Sequence, residues 1–462
     1  MLDTVVAISP ILTLVAMLTV AKAPAWAAAL IALAVGTIEA MTLHGVGLQA
    51  AALCAANGVS TGLFPIGLVI IAALFTYAIT VDSGAIVEIK NMLSGLSQDR
   101  RFQALLVAWG FGNFMEGMAG FGTAVAIPCA ILVGIGFDPL RAVLCCLVAN
   151  TTPTAFGSVG VPTMVLASET ALDPGRLTSQ IALLQLAATA LSPFLILLIT
   201  DGFRGLREKF GLALLADVVF LAPWLTVACT VGCELPNIVG GIAVMATMAF
   251  LGDTRSINAK RALWAWSPFA SVVVVLAAAA ALPAKWKISP GFLILAAAAI
   301  GGLLQSIKPS RLAILLFATL RKYALALTTI CLVLALAKIM SAAHMTSTLA
   351  DALVSLSGKW YCAVSTLVGS LGGFVTGSGT SSNVLFGSLQ ASVGATEAEK
   401  FLFAAANVMG AGIGKMLCPQ SIVLGCAAAG LAGKESEIMK KAACNFLPVL
   451  ATATAATIFF HL

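Results

Sequence analysis

Apolar runs of about 20 residues, the length that crosses a bilayer's hydrocarbon core, follow one another along this 462-residue chain with only short polar links between them. Uninterrupted runs predict full crossings at 5–21, 25–43, 62–80, 178–200, 212–232, 236–251, 262–283, 289–306, 323–340 and 442–460. Four further segments break the pattern, because glycine, proline and polar residues fall where a span should be apolar. Residues 140–170 and 400–432 read as long broken crossings, and 102–136 and 359–390 as re-entrant helical hairpins. The pattern predicts an all-α polytopic membrane protein of about 12 crossings plus two re-entrant hairpins.

The interruptions come in pairs. A shift of 260 lays Leu93–Ser97 on Leu353–Ser357 and Gly112–Gly117 on Gly372–Gly377, and a shift of 257 lays Ala149–Pro162 on Ala406–Pro419. In the second pair Asn150 falls on Asn407, Gly157 on Gly414 and Pro162 on Pro419. The basic clusters Lys90–Arg101, Arg204–Lys209, Arg255–Arg261, Lys308–Lys322 and Lys434–Lys441 set the orientation when all are placed on the cytoplasmic side. The first hairpin then opens to the cytoplasm and the second to the outside, so 62–171 and 322–431 are expected to be the inverted cores of one membrane domain spanning 1–462. Chance similarity between Gly/Ala-rich segments is the competing account. Against it stand a register that holds through two separated blocks and a charge count made independently. Inverted repeats with hairpins and broken helices present one central site alternately to each side of a membrane.

Composition agrees: 60% of residues are apolar and 10% charged, and the mean hydropathy is +1.05, whereas soluble proteins are about 25% charged. The net charge of +6 sits in links between spans, so it reports topology and gives no reason to expect nucleic acid. The run Val5–Ala21 has no basic segment before it and is followed at once by Lys22 and another apolar run, which reads as a retained span and not a removable signal. The eleven cysteines mostly lie in apolar runs without CxxC spacing and read as buried thiols. No nucleotide-binding, metal-ligand or nucleophile motif is found, so neither an enzyme, a cofactor, a metal nor ATP drive is expected. Coupling to an ion gradient remains.

The hairpin tips Gly117–Thr123 (GMAGFGT) and Thr376–Asn383 (TGSGTSSN) join glycines to hydroxyl and amide groups. Irregular backbone at membrane depth must line a cavity or be buried in protein, and half-helix N-termini there favour an anion such as a carboxylate. Gly120, Phe121, Gly122 and Thr123 at one tip, Thr380, Ser381, Ser382 and Asn383 at the other, and the register pair Asn150 and Asn407 are the candidate substrate residues. Two charges break the internal symmetry: Glu116 stands opposite Thr376, and Lys415 opposite Ser158. An ionisable group at that depth costs about 2.5–3.5 kcal/mol and marks function by default. Lys415 could pair a substrate carboxylate and Glu116 carry a proton; alternatively the two form a structural ion pair. His344 and Asp82, near span ends, are further candidates for the proton, with an interfacial role as the alternative.

At these motifs the chain resembles the L-lactate permease family, which includes glycolate permeases. The resemblance runs from Val59 to Glu437 through Gly62–Gly84, Gly112–Ile127, Gly136–Pro162, Thr376–Gln390 and Gly414–Ser436. It implies a proton symporter of the cytoplasmic membrane for L-lactate, D-lactate and glycolate, with lipid, proton and small monocarboxylate as its partners. It also brings Gln420 and Ser421, in the PQS element, into the candidate site. The family pattern commonly places Asp at the position of Gly379, and this carboxylate is missing here. The chain is also shorter than typical members, although both repeats are present. The alternatives are a sodium-coupled or dicarboxylate carrier of similar architecture, although a dicarboxylate calls for a second cation beside Lys415, and a non-transporting membrane sensor of lactate.

Overall fold

The computed structural model describes residues 2–21, 23–254, 258–280, 288–431 and 433–462. Lys22, Arg255 and the ends of two expected segments, 281–283 and 432, lie outside them. Among the described residues every regular element is helical, as hydrocarbon requires of a chain that must satisfy its own backbone without closing a barrel. Among the described residues six helical stretches are long and apolar enough to cross a membrane, and eight if each of two bent pairs is one crossing. The chain is a polytopic membrane protein.

Two expected crossings are parts of longer elements. Helix Leu48–Thr61 continues through a kink at Phe64 into Leu68–Asp82, so the segment at 62–80 starts earlier than its apolar run. Close packing explains the extension: a Cβ at Gly58 would lie 2.5 Å from the Ala335 backbone. The segment at 323–340 belongs to the 34-residue helix Pro309–Ala342, which takes in Arg311, Arg321 and Lys322 where the charge pattern implied a loop. At 1.5 Å per residue that helix is about 51 Å long against a core of about 30 Å, so its basic end can stand in water. The segments at 178–200 and 212–232 are nearly continuous: Pro174–Ala190 leads into Ser192–Thr230, which loses helical geometry at Asp201, Gly202 and Lys209.

The chain folds back on itself at two hairpins. In the first, the π-helical turn Leu105–Phe111 continues as Gly112–Met118, turns at 119–122 and returns as Thr123–Gly134. In the second, Tyr361–Thr376 turns at Gly377 and Ser378 into Gly379–Val393. Its arms are tied where Gln390 Nε2 donates to the Ser365 carbonyl at 2.6 Å and the Tyr361 hydroxyl donates to Gln390 Oε1.

Two bent pairs complete the core. Pro139–Ala149 meets Pro153–Thr170 at 65°, and Glu397–Leu417 meets Pro419–Ala429 at 46°. The entering helices are capped at Asp138, whose carboxylate accepts the Arg141 N–H, and at Thr396, which forms a reciprocal capping box with Glu399.

The second hairpin is seated on the second bent pair backbone to backbone. Gly369 and Gly373 face Gly410 and Gly414, and a Cβ at any of the four would lie within 2.2 Å of a carbonyl oxygen. Small residues at every fourth position allow this approach, which in lipid supplies the packing that water would drive elsewhere.

Candidate functional site

Both hairpin tips and both breaks close on one cavity of about 200 Å³. A water's share of liquid is about 30 Å³, so the space suits one small organic molecule or a handful of waters. Glu116, Phe121 and Gly122 line it from the first hairpin, and Thr376–Ser381 from the second. The first break contributes Thr154, Gly157, Ser158 and Pro162; the second contributes Lys415, Gln420, Ser421 and Leu424. Thr329 and Ile330 of the helix Pro309–Ala342 close one side.

The tips reach this point because the chain turns through left-handed backbone. Gly120, Phe121 and Gly122 have φ of +58°, +48° and +83°, and Ser158, Val159 and Gly160 have φ of +46°, +55° and +78°. Left-handed geometry costs a non-glycine residue roughly 1–2 kcal/mol, so contacts must hold it. The two turns brace each other: Ser158 Oγ donates to the Ala119 carbonyl at 3.0 Å, and a Cβ at Gly120 would strike Ser158 Oγ at 2.0 Å. At the second tip, a Cβ at Gly377 would meet Gln420 Oε1 at 2.7 Å, and one at Gly379 would meet Thr154 Cγ2 at 2.9 Å. Gly379 therefore faces Thr154, the residue that accepts from Lys415.

Charge is concentrated in one pair. Lys415 Nζ lies 3.2 Å from Glu116 Oε1, with side chains 9% and 3% exposed. Lys415 also donates to Thr154 Oγ1 at 3.4 Å, and Asn150 Nδ2 donates to Glu116 Oε2 at 2.7 Å. Helices Thr123–Gly134, Gly379–Val393 and Pro419–Ala429 begin at the cavity wall, with Gly122, Gly379–Ser381, Gln420 and Ser421 lining it. Their N-termini add partial positive charge, so the site pairs a neutralised lysine with a field that favours an anion.

Of the residues singled out from sequence, Phe121, Gly122, Thr380, Ser381, Gln420, Ser421, Lys415 and Glu116 share this cavity. The rest lie elsewhere. Gly120 and Thr123 sit behind the first tip, where the Thr123 hydroxyl donates to the Gly120 carbonyl. Ser382 donates to the Gly369 carbonyl across the second hairpin. Asn383 and Asn407, both fully buried, are bonded to each other at 2.9 Å, and Asn383 also donates to the Pro162 carbonyl. These groups hold the hairpins in place, with Asn150 acting on the cavity through Glu116. His344 is exposed in a left-handed turn, and Asp82 is paired with Arg311 at 2.5 Å near a helix end; neither lines the cavity. Sequence reasoning passed over Thr154 and marked Gly157 only as a register position opposite Gly414, although both lie within the duplicated block. It could not have found Thr329 and Ile330, which look like any apolar helix face.

An all-helical membrane protein whose hairpins and broken helices enclose a charged polar cavity is built as a transporter, not an enzyme. The comparisons carry this further. The L-lactate permease family model matches residues 3–265 and 266–462, and the chain belongs to that family. The L-lactate permease of Streptococcus iniae is 35% identical over 428 residues, covering 84% of this chain and 90% of that protein. That of Bacillus subtilis is 31% identical over 524 residues, covering 95% and 92%. The glycolate permease GlcA of Escherichia coli is 30% identical over 516 residues, with the same coverage.

Proposed function

We propose that this protein is a proton-coupled symporter of L-lactate and related 2-hydroxymonocarboxylates, D-lactate and glycolate among them, in the cytoplasmic membrane. The observation that carries the reading is the Lys415–Glu116 pair at 3.2 Å in a cavity ringed by helix N-termini. An incoming carboxylate competes with Glu116 for Lys415. If it wins without a proton, the buried site holds one net negative charge, which is costly away from water. If Glu116 takes a proton as it lets go, the site is neutral again. Two states are therefore fit to cross: empty, with Glu116 on Lys415, and loaded, with substrate on Lys415 and Glu116 protonated. That restriction is obligatory one-to-one coupling. A dicarboxylate would bring a second negative charge that, among the described residues, no further lysine or arginine lining the cavity neutralises.

The test is uptake of labelled L-lactate into vesicles holding the purified protein, driven by an imposed pH gradient, with glycolate, pyruvate and succinate as competitors. Accumulation that collapses with a protonophore and is blocked by glycolate is expected. Accumulation that requires sodium, or binding without accumulation, would overturn the proposal and favour the sodium-coupled carrier or the sensor.

We further read the chain as about 12 crossings with two re-entrant hairpins, its halves 62–171 and 322–431 related as inverted repeats. The same order of elements in each supports this: a long helical stretch, a short helix, a hairpin and a bent pair. Cysteines placed at Ser97 and Ser357 are expected to react with an impermeant reagent from opposite sides of the membrane. Labelling of both from one side would exclude the inversion.

A further inference from the structure

Asp217 is a membrane-embedded acid that the cavity leaves unused. It lies in the part of the helix Ser192–Thr230 beyond the irregularity at Lys209, and is 5% exposed. Its Oδ1 is buried without a hydrogen-bond partner. The charges on the elements packed around this helix are engaged elsewhere. Arg101 pairs with Asp99, Asp201 and Glu208, Arg141 donates to the Thr200 carbonyl, and Arg176 pairs with Glu397. Arg100 is exposed. Cys145 contacts Thr200, and Cys146 lies beside Cys129. The helix Pro236–Leu251 has no titratable residue.

The hairpin arm packed against this helix carries two unpartnered polar atoms on the way to Glu116. The stretch after Lys209 runs alongside the first arm of the first hairpin. Arg101 meets Glu208 at one end, and the rings of Trp109 and Phe220 meet at 4.7 Å further in. Asp217 precedes Phe220 by one turn on the same buried face. On the hairpin arm, Trp109 Nε1 and Asn113 Oδ1 are both buried without partners. Trp109, Asn113 and Glu116 follow at spacings of four and three, which place them on one helix face. The arm is π-helical from Leu105 to Phe111, an irregularity often found at functional sites. By helix rise, Asp217 stands about 12 Å inward from Lys209, and Glu116 about 10 Å beyond Trp109.

We propose that Asp217 is a proton-relay group, through which Glu116 exchanges its proton with the side of the membrane that carries the Arg101–Glu208 cluster. Water bridging Trp109 Nε1 and Asn113 Oδ1 would complete the path by satisfying both buried groups. The Asp217 carboxyl passes a proton along this chain to the Glu116 carboxylate and is reprotonated from the charged end. Chains of intramembrane acids serve proton transfer in pumps and transporters. The inference rests on Glu116 as the coupling group.

The test uses the full-length protein in vesicles, in wild-type, Asp217→Asn, Asp217→Glu and Trp109→Phe forms. In Asp217→Asn, pH-gradient-driven net uptake of L-lactate is expected to fall about a hundredfold, the scale of a lost proton-transfer group. Lactate-for-lactate exchange, which needs no net proton movement, is expected to persist, and equilibrium lactate binding to keep its wild-type pH dependence. Asp217→Glu should restore net uptake. Trp109→Phe, which keeps the ring and removes the donor, should slow net uptake alone, and it carries the test if Asp217→Asn does not fold. Wild-type net uptake in Asp217→Asn would overturn the relay, as would equal loss of exchange and net uptake in a folded variant. A wild-type protein indifferent to the pH gradient would instead sink the symport reading itself.

Discussion

Lys415→Ala is expected to abolish L-lactate uptake and to destabilise the protein by about 3–5 kcal/mol, the scale for removing one partner of a buried ion pair. The truncation leaves Glu116, whose side chain is 3% exposed, with the Asn150 amide as its remaining partner. On the proposed mechanism it also removes the cation for which the substrate competes. The two consequences separate in the double variant Lys415→Ala with Glu116→Gln. Thermal melting should recover, because no bare charge remains, while uptake stays absent. A single variant that transports lactate at the wild-type rate would refute the role of Lys415.

Glu116→Gln is expected to spare binding and destroy coupling. Glutamine can keep a hydrogen bond near Asn150 but cannot neutralise Lys415 or take a proton. The loaded site is then neutral without a proton, and the empty site carries one positive charge. A buried charge costs about 2.5–3.5 kcal/mol on insertion scales, so return of the empty carrier should slow on the order of a hundredfold. Net uptake falls by that factor while lactate-for-lactate exchange continues. On the proposed coupling, lactate binding in the wild type takes up a proton, so its affinity should weaken as pH rises, approaching about tenfold per unit. In Glu116→Gln this dependence should vanish. Calorimetric titration at several pH values measures it, and a pH dependence that survives the substitution rules out Glu116 as the proton carrier. The same titration distinguishes Glu116 from Asp217, since a relay alters rates and leaves equilibrium binding alone.

Much of the architecture can be read from punctuation. Glycine, proline and serine interrupt apolar runs where the hairpins turn and the paired helices bend, so 102–136 and 359–390 fall close to the helices that form those hairpins. Helix ends are harder to read. Leu48–Thr61 is held by close packing at Gly58, and Pro309–Ala342 keeps its helix past its apolar stretch because arginine and lysine are good helix formers in water. In the site, residue type alone could not separate Lys415, which faces the cavity, from Asn383 and Asn407, which are bonded to each other behind it. Partners decide that, and partners are set by the fold. Asp217 carries no motif; its signal is only that of an acid inside an apolar run.

The glycine rows that seat the second hairpin on its neighbouring helix bear on how such a carrier can work. A joint made of backbone has no rotamers to rearrange and no side chains that could fill a gap if it opened. Prising the hairpin away like a flap would leave bare peptide faces without a partner. Motion is therefore expected to carry the hairpin and that helix together as one stiff piston, with slippage at other, side-chain-lined contacts. Spin labels or fluorophores on the two elements should keep a constant separation through the transport cycle while both change their distance from the helix Pro309–Ala342.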